Sequence, residues 1–129
     1  MTIEERAEKA VELKKGRRYN CAQAVAAVLA DQTELTEEQL YAVTAAFCVG
    51  MGTQEATCGA LTGAGIVAGL RTGGKSTLKY AKQILEDFKQ RSGAVNCREL
   101  KSVTDGKPLC SCEDCVRNAV LAYGAILVV

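Results

Sequence analysis

Thr57-Cys58-Gly59-Ala60-Leu61-Thr62-Gly63-Ala64-Gly65-Ile66-Val67-Ala68-Gly69-Leu70 is the stretch whose reading decides the fold. It carries no charge, yet with Ala56 it is only about 15 residues, short of the roughly 20 apolar residues a membrane span requires. Gly59, Ala60, Gly63, Ala64 and Ala68 recur three and four positions apart, which puts small side chains on one helical face. The segment therefore reads as a core helix approached closely by another backbone. Thr57 is expected to cap it, and Gly73-Gly74 to end it.

Working outward from this helix, the same signals recur on both sides. Thr2 and Glu5 form a capping box for a first helix, whose end near Gly16 gathers Lys14, Lys15, Arg17 and Arg18, the sign its dipole favours. Asn20 is placed to cap a second helix through about Ala30, and Thr36 with Gln39 a third through about Phe47. Cys48 to Ala56 is glycine-containing and aperiodic, hence a loop. Downstream, Ser76 is expected to cap a fifth helix through about Gln90, with Gly93 as its left-handed stop. Asn96 opens a short turn over Cys97 to Lys101, and Ser102 to Ser111 reads as a surface loop with its Asp105-Gly106 turn. Ser111 caps the last helix, through Leu127. No segment alternates with period two, and the β-branched tail from Ile126 is too short to carry a sheet. The expected fold is all-α: a single domain, residues 1–129, forming a bundle of about five or six helices with cysteines at helix N-termini.

Composition bounds the function. A chain of 129 residues can bury one core without covalent staples, and 48% hydrophobic with 24% charged residues is ordinary for a globular protein. The net charge of +1 leaves no electrostatic footprint for nucleic acid, and the absence of His excludes a Cys-His protease and a C-x-x-C-H haem site. The stretch from Met1 to Glu12 is charged throughout and lacks the apolar core of a secretory signal, so a cytoplasmic location is expected. In that reducing compartment a disulfide framework is not expected, and seven cysteines is an odd count.

Four of those cysteines follow a good capping residue: Asn20-Cys21, Thr57-Cys58, Asn96-Cys97 and Ser111-Cys112. As the first helical residue, each sits where unsatisfied amides and the positive end of the dipole favour a thiolate. Thiolates so placed exchange disulfides or bind soft metals, and both chemistries require the helix starts to converge. Cys110-Ser111-Cys112-Glu113-Asp114-Cys115 is denser, and on a helix Cys112 and Cys115 share a face suited to a redox pair. It lacks the second close pair of a zinc ribbon and the βαβ context of a thioredoxin. Cys48 ends an apolar run with no cap before it and reads as a packing cysteine. Gly50-Met51-Gly52 has no phosphate-binding signature, and the basic run from Lys14 to Arg18 reads as a solvated helix end.

At these residues the chain resembles the C_GCAxxG_C_C family, small bacterial and archaeal proteins defined by four spaced cysteines. The resemblance runs from about Tyr19 to Leu127. It is carried by Asn20-Cys21-Ala22-Gln23-Ala24-Val25, by Thr57-Cys58-Gly59-Ala60-Leu61-Thr62-Gly63, by Gly93 with Cys97 and Leu100, and by Cys112 with Val116 and Ala119. Cys110 and Cys115 stand beside that last position, and Cys48 is additional. The resemblance implies redox activity through the cysteines without a settled substrate. It also implies kinship with a domain of split-Soret cytochromes that accompanies haem and an iron–sulfur centre, although haem cannot carry over to a chain without His.

The sequence thus points to a redox-active oxidoreductase or electron carrier in which Cys21, Cys58, Cys97 and Cys112 converge, with Cys115 a further catalytic candidate. An iron–sulfur cluster on those four stands slightly ahead of two thiol/disulfide pairs, because four thiolates match Cys₄ ligation. Zinc ranks below iron. The rival reading is a structural or zinc-stabilised interaction module with no redox turnover. The expected partner is another redox protein, with neither nucleic acid nor a membrane span involved.

Overall fold

The computed structural model describes residues 1–129, and the fold is all-α. Seven α-helices follow one another: α1 (Ile3–Lys15), α2 (Cys21–Val28), α3 (Glu37–Thr44), α4 (Gly59–Thr72), α5 (Thr77–Ser92), α6 (Cys97–Leu100) and α7 (Cys112–Ile126). Single 3₁₀ turns extend α2 and α3 over Ala30–Gln32 and Ala45–Phe47, which is why these helices looked longer in sequence. A two-residue hairpin, β1 (Val103–Thr104) against β2 (Lys107–Pro108), occupies part of the expected loop before α7. No helix is long and apolar enough to cross a membrane.

Local chemistry sets most of the helix starts. Thr2, Asn20 and Thr36 each close a full capping box, with Glu5, Gln23 and Gln39 reaching back to the cap amide. Ser111 accepts from the Asp114 amide, and Asn96 from that of Arg98. Two expected caps are corrected. Ser76 adopts a left-handed conformation at φ 58° and makes no capping bond. Thr57 pairs instead with Asn96 in an isolated antiparallel bridge, so the cap position of α4 falls to Cys58 itself.

The core is built on alanine. Ala22, Ala24 and Ala26 of α2 and Ala60, Ala64 and Ala68 of α4 are fully buried, and α2 packs along α4 while α1 and α5 pack along α7. Phe88, Tyr123 and Leu29 are the largest side chains in this core. Arg117 of α7 ties to Glu8 of α1, and Arg6 of α1 makes a two-pronged ion pair with Asp31. Gln23 Nε2 donates to the Tyr41 carbonyl at 3.0 Å and fastens α3 to α2, and Tyr41 Oη donates to the Arg18 carbonyl at 2.8 Å in the connection that precedes α2.

Small residues decide how closely α4 can sit. A Cβ on Gly63 would lie 2.7 Å from the Ala22 carbonyl oxygen, and one on Gly65 would meet nothing within 4 Å. The obstacle at Gly63 is backbone, which cannot rotate aside. Gly63→Ala should therefore destabilise the fold by about 1–3 kcal/mol through overpacking. Gly65→Ala, in the same helix, should raise stability by about 0.5–1 kcal/mol. Thermal melts of the two variants check this, and equal midpoints would place the α2–α4 contact elsewhere.

Candidate functional site

The starts of α2, α4, α6 and α7 come together around one cavity, joined there by Cys48 and Val49. All seven cysteines line a single cavity of about 110 Å³ there, together with Lys14 from the last turn of α1 and Lys101 just beyond α6. Cys21, Cys58, Cys97, Cys110 and Cys115 are buried, while Cys48 and Cys112 are partly exposed, and every thiol is free. The structure thus brings together Cys21, Cys58, Cys97, Cys112 and Cys115. It adds Cys48, which the sequence suggested was packing, as well as Cys110 and the two lysines.

Backbone pairing explains why residues this far apart meet. The Cys58 amide donates to the Val95 carbonyl at 2.8 Å and the Cys97 amide to the Ala56 carbonyl at 3.1 Å, so the residues before α4 and α6 run side by side. Asn96 Nδ2 adds a bond to the Glu55 carbonyl at 2.9 Å. Gly59 lets α2 and the Phe47–Cys48 turn close in: a Cβ there would lie 1.8 Å from the Phe47 carbonyl oxygen and 2.8 Å from Cys21 Sγ.

Cys48 reaches the cavity by a different device. Val49, Gly50, Met51 and Gly52 all take positive φ, at 54°, 56°, 57° and 84°. This left-handed run folds the chain back over α6. Gly50 is required in it, since a Cβ would stand 3.0 Å from Cys97 Cβ and 3.1 Å from the Ala56 carbonyl. Val49, though β-branched, is held there as part of the cavity wall.

The electrostatics differ from thiol to thiol. Burial, reinforced by the neighbouring Cys48 and Cys58, pushes Cys21 up to about 12. Burial also raises Cys97, against the pull of Lys101. Cys58 is drawn down to about 7, first by a hydrogen bond from Cys115, then, against burial, by the amides of Leu61 and Ala60 and the charge of Lys101. Leu61 and Ala60 are the third and second residues of α4, whose free N–H groups an N-cap normally satisfies, and neither completes a full hydrogen bond to the sulfur. Cys110 is likewise lowered to about 7 by Cys115 and by the Ser92 hydroxyl, against burial. Cys115 itself is driven up, because the thiol that donates to Cys110 and Cys58 keeps its proton. One S–H serves one acceptor at a time, so the Cys58 and Cys110 sulfurs compete for it with the Cys110 carbonyl, 3.8 Å from Cys115 Sγ.

Lys101 completes the picture at the exposed side. Its Nζ lies 2.8 Å from Cys112 Sγ. Burial alone would lower the ammonium, but Cys112, Cys97 and Cys21 outweigh it and hold the charge. No three thiols or carboxylates stand close enough together to hold a single metal ion. The thiols that most affect one another's titration are Cys21 with Cys48, Cys58 with Cys115, and Cys115 with Cys110.

A family described as "Putative redox-active protein (C_GCAxxG_C_C)" matches residues 19–126. No curated protein and no solved structure matches the chain.

The Cys58 titration is testable. Because its pKa is depressed, its thiolate forms as pH rises through about 7, below the ordinary thiol value of about 8.5. Alkylation of Cys58 in reduced protein, followed by peptide mass analysis, should show a rate midpoint near 7. Cys115→Ala removes the main donor and should move that midpoint up. An unmoved midpoint would assign the effect to the α4 amides alone.

Proposed function

We propose a redox function from this premise: the chain belongs to the C_GCAxxG_C_C family, and its cysteines store and pass electrons as thiol/disulfide pairs around one cavity. The observation that carries the reading is that every cysteine in the sequence lines that cavity. Unconstrained packing would scatter seven thiols through an alanine core of this size.

The chemistry follows from the contacts. Oxidation of a neighbouring pair forms one S–S bond and releases two electrons and two protons; reduction reverses it. Cys21 beside Cys48 and Cys58 beside Cys115 are the pairs the geometry favours. The Cys58 thiolate is the nucleophile ready near neutral pH, and Cys115 supplies the proton that a departing thiolate takes up. Lys101 holds the Cys112 sulfur at the partly exposed side, where a partner thiol or disulfide has access. The partner is another redox protein or a small thiol compound.

A second reading keeps the iron–sulfur cluster, on the observation that the four helix-start thiols Cys21, Cys58, Cys97 and Cys112 all reach the cavity. Its donor chemistry fits, since thiolates bind soft iron and α4 amides face one of the sulfurs. Those four cysteines would hold the group, and it would supply one-electron transfer. A single zinc ion is less well supported, because no three ligands stand together. The interaction-module reading gives no reason for the thiols to gather.

Purification without air, followed by iron analysis and thiol counting over a graded dithiol/disulfide potential series, separates these readings. The expected protein is colourless and free of iron. Its seven thiols should fall in steps of two on oxidation and leave an odd number at each plateau. Cys21→Ser and Cys48→Ser should lose the same step. Visible absorbance with stoichiometric iron that disappears in Cys97→Ser would transfer the function to the cluster.

A further inference from the structure

Adjoining the cysteine cavity at Cys110 lies a separate surface groove of about 440 Å³, a size suited to a small molecule. The β1–β2 hairpin lines it through Lys107 and Leu109, α5 through Ser92, and α7 through Asn118. Cys110 is the one residue that lines both the groove and the cavity. Its sulfur has Asn118 Nδ2 at 3.9 Å on the groove side, and Asn118 is itself held by Ser92 Oγ at 3.0 Å. Behind it, Cys115 Sγ points to the Cys110 carbonyl at 3.8 Å and adjoins Cys58. Three sulfurs therefore form a continuous file from the groove to the inner cavity.

The charges in the groove are unequal. Arg91 is engaged by Asp87, and Asp114 by Arg117, whereas Lys107 is exposed and makes no ion pair. Lys107 is thus the one unpaired charge in the groove lining and favours a carboxylate, while Asp114, whose charge acts on the Cys110 sulfur, is paired with Arg117.

We propose that Cys110 and Cys115, although largely buried, form a second dithiol site beside this groove, which exchanges with a low-molecular-weight, carboxylate-bearing disulfide in the groove and passes the oxidising equivalents inward to Cys58. It rests on the thiol/disulfide reading above. The Cys110 sulfur attacks one sulfur of the external disulfide; that S–S bond breaks, a mixed disulfide forms on Cys110, and the first external thiolate leaves. Cys115 then displaces the second external thiolate, forming the Cys110–Cys115 bond. Two electrons have moved to the external disulfide, which departs as two thiols carrying the two thiol protons. Attack of Cys58 on Cys115 moves the S–S bond inward and returns Cys110 to the reduced state.

The test uses reduced full-length protein without air and two probe disulfides in less than stoichiometric amount: 5,5′-dithiobis(2-nitrobenzoate), which carries two carboxylates, and neutral 2,2′-dithiodipyridine. Stopped-flow absorbance gives the rates, and peptide mass analysis after acid quenching gives the sites. The first adduct is expected on Cys110, followed by a Cys110–Cys115 disulfide. Cys110→Ala should abolish the fast phase with both probes. Lys107→Glu, on the exposed hairpin, should slow the charged probe several-fold and leave the neutral one unchanged, which a general loss of structure would not do. A fast phase that survives Cys110→Ala and vanishes in Cys112→Ala would overturn this site while leaving the thiol/disulfide reading standing. If no cysteine pair forms in the wild-type chain and iron is present, that reading falls and this site with it.

Discussion

The close approach at Gly59 is the constraint on which the rest of the site depends. With no side chain there, the carbonyl of Phe47 occupies the space a methyl group would need, at 1.8 Å, and Cys21 Sγ comes to within 2.8 Å of it. Three elements distant in sequence are thereby fixed against one another: the start of α4, the start of α2 and the turn that leads to Cys48. Once α4 is seated, Gly63 against Ala22 sets the same spacing one turn further on. Cys58 as cap residue then faces the position where Cys97 and Cys115 arrive. A glycine directly after a cysteine is therefore a packing requirement of the cavity before it is anything chemical.

Crowding seven thiols limits how many can ionise together. Like charges in a buried site raise one another's pKa values, and the two cations in the lining, Lys14 and Lys101, cannot neutralise seven thiolates. The spread of values reflects this: Cys21 and Cys115 are pushed up, and Cys58 and Cys110 down. Thiols that hold their protons, Cys21, Cys97 and Cys115, therefore share the cavity with two that give theirs up more readily, Cys58 and Cys110. Such a mixture would suit the proposed thiol exchange, in which one sulfur attacks while another can give up a proton.

How much of this was legible in the sequence depends on the range of the interaction responsible. The caps at Thr2, Asn20, Thr36 and Ser111 were readable because each capping bond spans three residues. The small-residue face of α4 was readable from its own period. Thr57 was misread because its backbone pairs with Asn96, 39 positions away by residue number, and a long-range bridge leaves no local trace. Lys101 was missed, and Cys110 was left only as a neighbour of the last motif position, for a related reason. Their roles come from the turn after α6 and the hairpin, which return the chain so that the Cys110 amide bonds the Leu100 carbonyl at 3.0 Å. The family motif located four of the cysteines, but spacing carries no information about which thiol touches which.

Cys48 is the most instructive case, since it lacks a helix start to present it. The chain holds it at the cavity through a left-handed run that includes two residues with side chains, Val49 and Met51. Each such residue costs on the order of 1–3 kcal/mol and persists only where its surroundings over-determine it. The determinants here are identifiable. Gly50 packs on Cys97 and on the Ala56 backbone, the Gly52 amide bonds the Cys48 carbonyl at 2.9 Å, and the Gln54 amide bonds that of Val49 at 2.9 Å. A cysteine that served only to fill space could have been left on the preceding 3₁₀ turn without strain. Three of the six side-chain-bearing residues with positive φ, Val49, Met51 and Gln54, instead fall within the six residues that follow Cys48, and the result is a sulfur set in the same cavity as Cys21.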